Sequence, residues 1–256
     1  MIKAVFFDVD GTLFSHASRS VPQSARAGLE RLAAAGIRRV VSTGRHPAEL
    51  RELPLGGLAF DGFVTLNGQL CLDGGGRPLF GAPFSEAAAR ALAELFRERE
   101  MPLALVDGER IYINMVNGVV VHAQSEISTA VPDMAEYRSA PLYQATCFVG
   151  RGGEDALRRR LPGGCKLARW SESGVDIIPD PGGKVEGMRY FMSRFGLRRE
   201  EVMAFGDEEN DIDMLEYAGL GVAMGNAKAA VMAAADYVTA GVDEDGIEKA
   251  LRRFGL

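Results

Sequence analysis

Residues 2–15 read IKAVFFDVDGTLFS, an apolar run that ends at two aspartates one residue apart. A continuous apolar run of this length is typical of a strand that is buried on both faces of a parallel sheet. Asp8 and Asp10 would then lie where that strand stops. Two carboxylates this close repel each other and raise each other's pKa unless a positive charge lies between them. The stretch therefore predicts a buried parallel sheet and a cationic partner for the two aspartates.

Strand and helix patterns alternate after this first strand. Residues 20–37 carry a proline in a first helical turn and a glycine at the end, and Leu29, Leu32 and Ala33 fall on one face. Two further short strands end in Ser-Thr-Gly and in Asn-Gly. Alternating strands and helices form right-handed crossovers and a parallel sheet. We therefore predict an α/β protein with a Rossmann-like parallel-sheet core.

The alternation breaks after Asn67. The sequence QLCLDGGGRPLFGAPF reads as two short strands around a glycine turn, and a strong helix pattern follows from Ser85. Strand patterns then dominate until the original rhythm resumes after a Pro-Gly-Gly breaker. An inserted unit of this kind is typical of an α+β domain. We predict an N-terminal part of the core at 1–82, an inserted α+β domain at 83–183 and a C-terminal part of the core at 184–256.

The composition of the 256-residue chain is that of a folded globular protein, with 47% hydrophobic and 25% charged residues. Its net charge of −6 offers no basic surface to a nucleic acid, and its apolar runs are too short for a membrane span or a signal peptide. Cys71, Cys147 and Cys165 show no metal-site spacing, so we expect reduced cysteines and a cytoplasmic location. We also expect a monomer or a weak homo-oligomer.

Polar side chains close the predicted core strands. Ligands bind beyond the carboxyl ends of the strands in an open parallel sheet, so these side chains should meet at one edge. Carboxylates without accompanying histidines or cysteines are typical ligands of Mg²⁺, which leaves positions free for water and phosphate. A lysine and a threonine beside the ion would hold the remaining phosphate oxygens. The predicted set comprises Asp8, Asp10, Thr43, Lys184, Asp207, Asn210 and Asp211.

Four features of the sequence resemble, in the right order, the motifs of the haloacid dehalogenase superfamily of phosphotransferases. These are FFDVDGTL, STGR, Lys184 and GDEEND. The inserted domain resembles a type IIB cap, and TLNG, DIIPDPGGKVEG and GVAMGNA resemble the Cof-type subfamily of small-molecule phosphatases. The family's phosphatases and mutases have an aspartate two places after the first, so Asp10 favours phosphate-ester chemistry. Glu208 and Glu209 stand where the subfamily often has a serine first, and we interpret them as tolerated variation beside the metal.

The resemblance implies a role for each matching residue. Asp8 would be the nucleophile that forms an aspartyl-phosphate, and Asp10 would protonate the leaving alcohol and then activate water. Asp8 would then start ionised and Asp10 protonated. Phosphate oxygens would be held by Thr43, Gly44, Lys184 and Asn210, and Mg²⁺ by Asp8, Asp207, the backbone carbonyl of Asp10 and Asp211, which either binds the ion or orients a ligand.

Five more residues have both a functional and a structural interpretation. Arg45 and Asn67 border the predicted cleft and are possible substrate contacts, although a helix start and a turn explain them equally well. The cap should set specificity, and its candidate contacts are Trp170, Tyr112 and Asn114. Core packing is the more common role of a cap aromatic.

The sequence as a whole predicts a Mg²⁺-dependent phosphatase that hydrolyses small phosphorylated metabolites through an aspartyl-phosphate. By the resemblance, sugar phosphates lead as substrates and compounds such as pyridoxal phosphate follow. A phosphomannomutase-like phosphomutase is the nearest alternative, since it shares the core and the cap type. A non-catalytic binding protein is the alternative from another class. The charges of Asp8, Asp10, Lys184 and Asp207 argue against it, because a scaffold needs none of them.

Overall fold

Two β-sheets with their own helices organise the chain in a computed structural model that describes residues 1–55, 57–138 and 140–256. The strands, in chain order, are β1 (Ala4–Phe7), β2 (Arg38–Ser42), β3 (Gly62–Thr65), β4 (Leu70–Asp73), β5 (Pro78–Gly81), β6 (Leu103–Val106), β7 (Ile111–Ile113), β8 (Gln144–Cys147), β9 (Cys165–Arg169), β10 (Val175–Pro179), β11 (Val202–Gly206), β12 (Leu220–Ala223) and β13 (Tyr237–Val238). The helices are α1 (Gln23–Ala34), α2 (Pro47–Glu52), α3 (Glu86–Glu98), α4 (Gly118–Glu126), α5 (Glu154–Arg158), α6 (Lys184–Phe195), α7 (Ile212–Tyr217), α8 (Ala229–Ala234) and α9 (Gly246–Arg253).

The larger sheet forms the core and is parallel over most of its width. Its order among the described residues is β13-β12-β11-β1-β2-β3-β4-β5, with β4 and β5 antiparallel at one edge. Phe7 of β1 is in register with Val41 of β2 and with Phe205 of β11. The residues that follow these three strands therefore emerge together at one edge of the sheet. The prediction of an α/β fold with a parallel-sheet core is confirmed.

The smaller sheet is antiparallel and comes from the segment between the two parts of the core. Its order within the described residues is β7-β6-β8-β10-β9. Helices α3 and α5 cover one face, and the other face turns polar side chains toward the core sheet. We use the name cap for residues 83–183. The exact boundaries at 82/83 and 183/184, which follow β5 and precede α6, stay a prediction.

The sequence patterns miss α2, α4 and β9. Helix α4 reads GVVVHAQSE, and its β-branched valines disfavour a helix. The helix forms nevertheless after the N-cap residue Asn117, whose Oδ1 accepts hydrogen bonds from the backbone N–H groups of Val119 and Val120. Strand β9 lies at the edge of the cap sheet and is mostly half-buried, so it lacks a clear apolar run.

One expected contact of α1 is wrong. Ala33 is exposed, whereas Leu29 and Leu32 are buried as predicted. Ala25, four positions before Leu29 on the same face, is the buried alanine instead, so the buried part of this face ends before Ala33, near the end of the helix.

Helix α6 approaches β3 closely because Gly187 has no side chain. A Cβ atom at this position would lie 2.2 Å from Cγ1 of Val64. Met188 and Phe191 of the same helix are fully buried in the core. This packing sets the position of Lys184, the first residue of α6, at the carboxyl edge of the sheet.

Every helix in the described parts of the chain lacks the length or the apolar content that crossing a membrane requires. Cys71, Cys147 and Cys165 are free thiols, and the first two are buried. The cytoplasmic location and the oligomeric state stay predictions.

We expect Leu29→Ala to lower the free energy of unfolding by about 2–5 kcal/mol, because Leu29 is fully buried and its truncation leaves a cavity. Glu30→Ala is the matched control, since Glu30 is the next residue and is exposed. Its effect should stay within about 0.5 kcal/mol. Urea unfolding followed by circular dichroism measures both, and equal losses would show that α1 does not pack as described.

Candidate active site

Three buried carboxylates meet at the carboxyl edge of the core sheet. Asp8 directly follows β1 and Asp207 directly follows β11, while Asp211 closes the short turn after Asp207. One oxygen from each carboxylate lies within 4.8 Å of the other two. The parallel register of β1 and β11 brings the first two together, as the sequence predicted.

Lys184 pairs with two of these carboxylates. Its Nζ donates to Oδ1 of Asp8 at 2.6 Å and to Oδ1 of Asp211 at 2.5 Å, and the residue is 1% exposed. Although burial lowers the pKa of Lys184, the charges of Asp211 and Asp8 raise it above its usual value. The lysine is therefore charged. It links the start of α6 to Asp8 in the N-terminal part of the core and to Asp211 in the C-terminal part.

Asp211 also holds the backbone of its own loop. Its Oδ2 accepts hydrogen bonds from the backbone N–H groups of Asp207 and Glu208, each at 3.0 Å. A Cβ atom on Gly206 would lie 2.5 Å from Cβ of Asp211, so this close approach requires glycine. The hydroxyl of Thr12 donates to Oδ1 of Asp207 at 2.6 Å. These contacts orient Asp207 and Asp211 toward Asp8.

One lysine does not balance three buried carboxylates. Burial and the charge of Asp211 raise the pKa of Asp8 to about 8 in spite of Lys184. Burial, with the charge of Asp8 next, also raises the pKa of Asp207. A divalent cation would relieve this repulsion, and a set of carboxylate oxygens without histidine or cysteine is the donor set that Mg²⁺ prefers. Asp8, Asp207 and Asp211 therefore fit a magnesium ion.

Asp10 lies outside this carboxylate cluster and has its own partners. Arg45 donates to it from Nε and from Nη2, both at 2.6 Å, and Nε2 of His16 lies 2.8 Å from its Oδ1. Although burial raises the pKa of Asp10, the hydrogen bonds and charges of Arg45 and His16 lower it to about 2. The protein's own groups thus favour a protonated Asp8 and an ionised Asp10. The two pKa values differ in this direction because Asp10 faces a guanidinium and Asp8 faces other carboxylates, and the expected states in the presence of the cation stay a prediction.

Arg45 joins Asp10 to the cap. Its Nη1 donates to Oγ1 of Thr129 at 2.7 Å, and its Nη2 donates to the carbonyl of Ile127 at 2.5 Å. Its backbone N–H donates to Oγ1 of Thr43 at 3.2 Å. Arg45 therefore positions Asp10 and the cap, and its contact with a substrate stays a prediction.

Asn67 forms a second link between core and cap. Its backbone is left-handed, with φ of 51°, and its side chain is fully buried. Its Nδ2 donates to Oε1 of Gln144 at 2.9 Å and to Oδ2 of Asp176 at 2.7 Å. Its Oδ1 accepts from Nδ2 of Asn210 at 3.0 Å. Asn67 thus connects the cap strands with the loop of Asp211, and its predicted contact with a substrate stays a prediction.

A cavity lies between the core and the cap. Lys184 reaches the site from the buried side of Asp8. On the cap side, Phe148 and Trp170 contribute apolar walls. The predicted site residues that line the cavity are Asp8, Asp10, Thr43, Gly44, Arg45 and Asn210.

Two of the three cap candidates have structural roles. The hydroxyl of Tyr112 donates to Oδ2 of Asp107 at 2.9 Å. Asn114 is buried, accepts from the backbone of Leu103 and donates to two backbone carbonyls. Trp170 alone of the three lines the cavity.

The sequence reasoning missed the polar residues that the cap turns toward the core, which are Gln144, Thr146 and Asp176. A signal for them exists. β8 reads QATC, with polar residues at alternate positions, and β10 reads VDIIP, with a single aspartate in an otherwise apolar strand. His16 and Thr12 carry no comparable signal, because their contacts depend on distant segments.

Glu208 and Glu209 form ion pairs at the rim of the cavity. Glu209 pairs with Arg151 of the cap, and Lys228 contacts Glu208 at 2.9 Å and Glu172 of the cap at 3.3 Å. The side chains are 28–63% exposed, and exposed pairs of this kind contribute little each. Glu208 and Glu209, which depart from the subfamily pattern, therefore take part in a cluster of ion pairs between the core and the cap.

Comparison with known proteins agrees with this geometry. The model of a family described as haloacid dehalogenase-like hydrolase matches residues 5–251. The putative phosphatase YkrA of Bacillus subtilis is 30% identical over 257 residues, which cover 99% of this chain and 98% of YkrA. The structure of the HAD subclass IIB sugar phosphatase BT4131 is 34% identical with a TM-score of 0.89, covering 99% of both chains. The structure of BT1666, a HAD superfamily phosphatase from Bacteroides thetaiotaomicron, is 32% identical with a TM-score of 0.87, covering 100% of this chain and 96% of that one.

We expect Mg²⁺ to raise the melting temperature of the protein and Asp207→Asn to remove most of that increase, because the variant lacks one carboxylate of the cluster. Without Mg²⁺, the variant should melt no lower than the wild type, since one source of repulsion is gone. Differential scanning calorimetry with EDTA and with Mg²⁺ measures both effects. Asp243→Asn, at an exposed position, is the control. An unchanged response to Mg²⁺ in Asp207→Asn would exclude this cluster as the ion's site.

We expect Asn67→Ala to weaken the association of cap and core by about 1–3 kcal/mol, because buried polar partners lose their hydrogen bonds. Trp170 is the single tryptophan and lines the cavity, so acrylamide quenching of its fluorescence reports the opening. Arg151→Gln breaks only exposed ion pairs and should cost less than about 1 kcal/mol. Equal quenching in the two variants would show that Asn67 contributes no more to the association of cap and core than the exposed ion pairs of Arg151.

Proposed function

Because this chain belongs to the haloacid dehalogenase-like hydrolase family, we propose that it is a Mg²⁺-dependent phosphatase that hydrolyses small phosphorylated metabolites through an aspartyl-phosphate. Phosphatase activity itself follows from its membership and from its full-length similarity to YkrA and to BT4131. The observation that carries the finer proposal is Asp8, which borders the cavity and is paired with the buried ammonium of Lys184.

In the first step, a carboxylate oxygen of Asp8 forms a bond to phosphorus while the bond from phosphorus to the alcohol oxygen breaks. Asp10 gives a proton to that oxygen. In the second step, Asp10 takes a proton from water, whose oxygen attacks the phosphorus and releases Asp8. The contacts of Asp10 with Arg45 and His16 keep it ionised, which is the state that accepts a proton, but by lowering its pKa they also make it a weaker base. For the first role Asp10 has to take up a proton before the alcohol leaves.

Other groups of the site position the phosphoryl group and balance the negative charge. Lys184, Thr43 and the backbone at Gly44 hold phosphoryl oxygens. Asn210 reaches the same cavity from the turn before Asp211. Mg²⁺ bound by Asp8, Asp207, the Asp10 carbonyl and Asp211 would supply positive charge against the carboxylates and the phosphate.

Sugar phosphates are the leading substrates. BT4131, described as a sugar phosphatase, shares the fold over 99% of both chains. The cavity also mixes polar groups with the faces of Phe148 and Trp170, a combination that suits a polyol with an apolar face.

We expect Asp8→Asn to reduce Mg²⁺-dependent phosphate release by a factor on the order of 10³ or more, because an amide cannot form the aspartyl-phosphate. The assay uses p-nitrophenyl phosphate and a panel of sugar phosphates, each with Mg²⁺ and with EDTA. Asp155→Asn changes an exposed cap carboxylate and should keep wild-type activity.

Retained activity in a folded Asp8→Asn protein would refute Asp8 as the nucleophile. Isomerised sugar phosphate without free phosphate would identify a phosphomutase instead. Circular dichroism of each variant establishes that it is folded.

A further inference from the structure

The cap side of the cavity contains a buried carboxylate with neutral partners. Asp176 is 3% exposed, and it accepts hydrogen bonds from Oγ1 of Thr146 and from Nδ2 of Asn67, both at 2.7 Å. Among the described residues, no lysine, arginine or histidine forms an ion pair with it. Burial raises its pKa to about 7. A buried charge without a counter-ion is costly, unless a ligand supplies hydrogen-bond donors or positive charge.

The surrounding walls supply no cation for a second anionic group. Of the described residues that line the cavity, Arg45 is the only lysine or arginine, and Asp10 occupies it. Burial lowers the pKa of His46, so its ring is neutral. Glu49 adds another carboxyl group to the same cavity wall, and burial raises its pKa. The part of the cavity beyond the phosphate site is therefore acidic.

Asp176 has polar neighbours that can contact the same ligand. It is in register with Thr146 on the adjacent strand, and Gln144 lies two residues before Thr146 on the same face. Phe148 and Trp170 flank this polar row. The row can accept hydrogen bonds from a polyol while the aromatic rings pack against its carbons.

We propose that Asp176 selects substrates by the charge of the leaving group, accepting hydrogen bonds from the hydroxyl or ammonium groups of a neutral or cationic polyol and repelling a leaving group that carries a second anion. This inference rests on the proposed function. It names the substrate class as monophosphates of neutral or amino-bearing polyols, as opposed to bisphosphates or phosphorylated acids.

The test compares three substrates that share one pyranose ring, namely glucose 1-phosphate, glucosamine 1-phosphate and glucuronic acid 1-phosphate. With Mg²⁺, the wild type should hydrolyse the first two with a kcat/KM roughly tenfold or more above that of the third. Asp176→Asn should reduce this preference to within about threefold. The amide can still accept from Asn67 and donate to Thr146, so the contact between core and cap is kept.

Two control variants separate charge from structure. Asp155→Asn removes an exposed carboxylate from the same domain and should keep the wild-type preference. Asp176→Glu keeps the charge and should keep the rejection of glucuronic acid 1-phosphate, even if a longer side chain lowers all rates. Equal kcat/KM of the wild type for the neutral and the acidic sugar would overturn the proposal. So would an unchanged preference in a folded Asp176→Asn protein.

Binding to Asp8→Asn, measured by isothermal titration calorimetry with the same three sugars, tests the inference without turnover. Selective binding to Asp8→Asn, together with no phosphate release by the wild type from any substrate, p-nitrophenyl phosphate included, would refute the proposed function and leave the charge selection standing. If the wild type hydrolyses p-nitrophenyl phosphate but Asp8→Asn binds the three sugar phosphates equally well, the proposed function stands and the charge selection is refuted.

Discussion

The ion pairs of Lys184 with Asp8 and Asp211 are the interaction on which the site depends. They join three segments that are far apart in the chain: the end of β1, the start of α6 after the cap, and the loop after β11. Without that positive charge, buried carboxylates would face one another in a medium where repulsion is strong. With it, the three carboxylates still exceed the lysine by two negative charges, and this imbalance is the physical reason for expecting a divalent metal at the site.

The cap contacts the core through groups that also belong to the site. Arg45 holds Asp10 with two hydrogen bonds and the cap with two more, while Asn67 connects Asn210 with the cap strands. Cap position and the orientation of the site residues are therefore coupled through the same side chains. A cap that closes over a small substrate also excludes water, which strengthens these electrostatic contacts.

The two aspartates of the first motif differ because of what faces them. Asp8 borders other carboxylates, and its pKa is raised to about 8, whereas Asp10 borders Arg45 and its pKa is lowered to about 2. Residue type and spacing alone imply two similar groups. Their opposite behaviour arises mainly from Arg45, 35 residues after Asp10, and from Asp211, which lies far from Asp8 in the sequence.

Much of the fold and the central site was readable from the sequence, since it is encoded in local patterns. The apolar run before Asp8, the strand endings at Thr43 and Asp207, and Lys184 at a helix start lie where their patterns predict, because parallel strands bring their carboxyl ends to one edge. Only the tertiary structure decided the partners: His16 and Arg45 on Asp10, Asn67 between core and cap, and Asp176 in the cavity wall. These contacts depend on how separate segments pack against one another, and the periodicity of a single segment does not predict that packing.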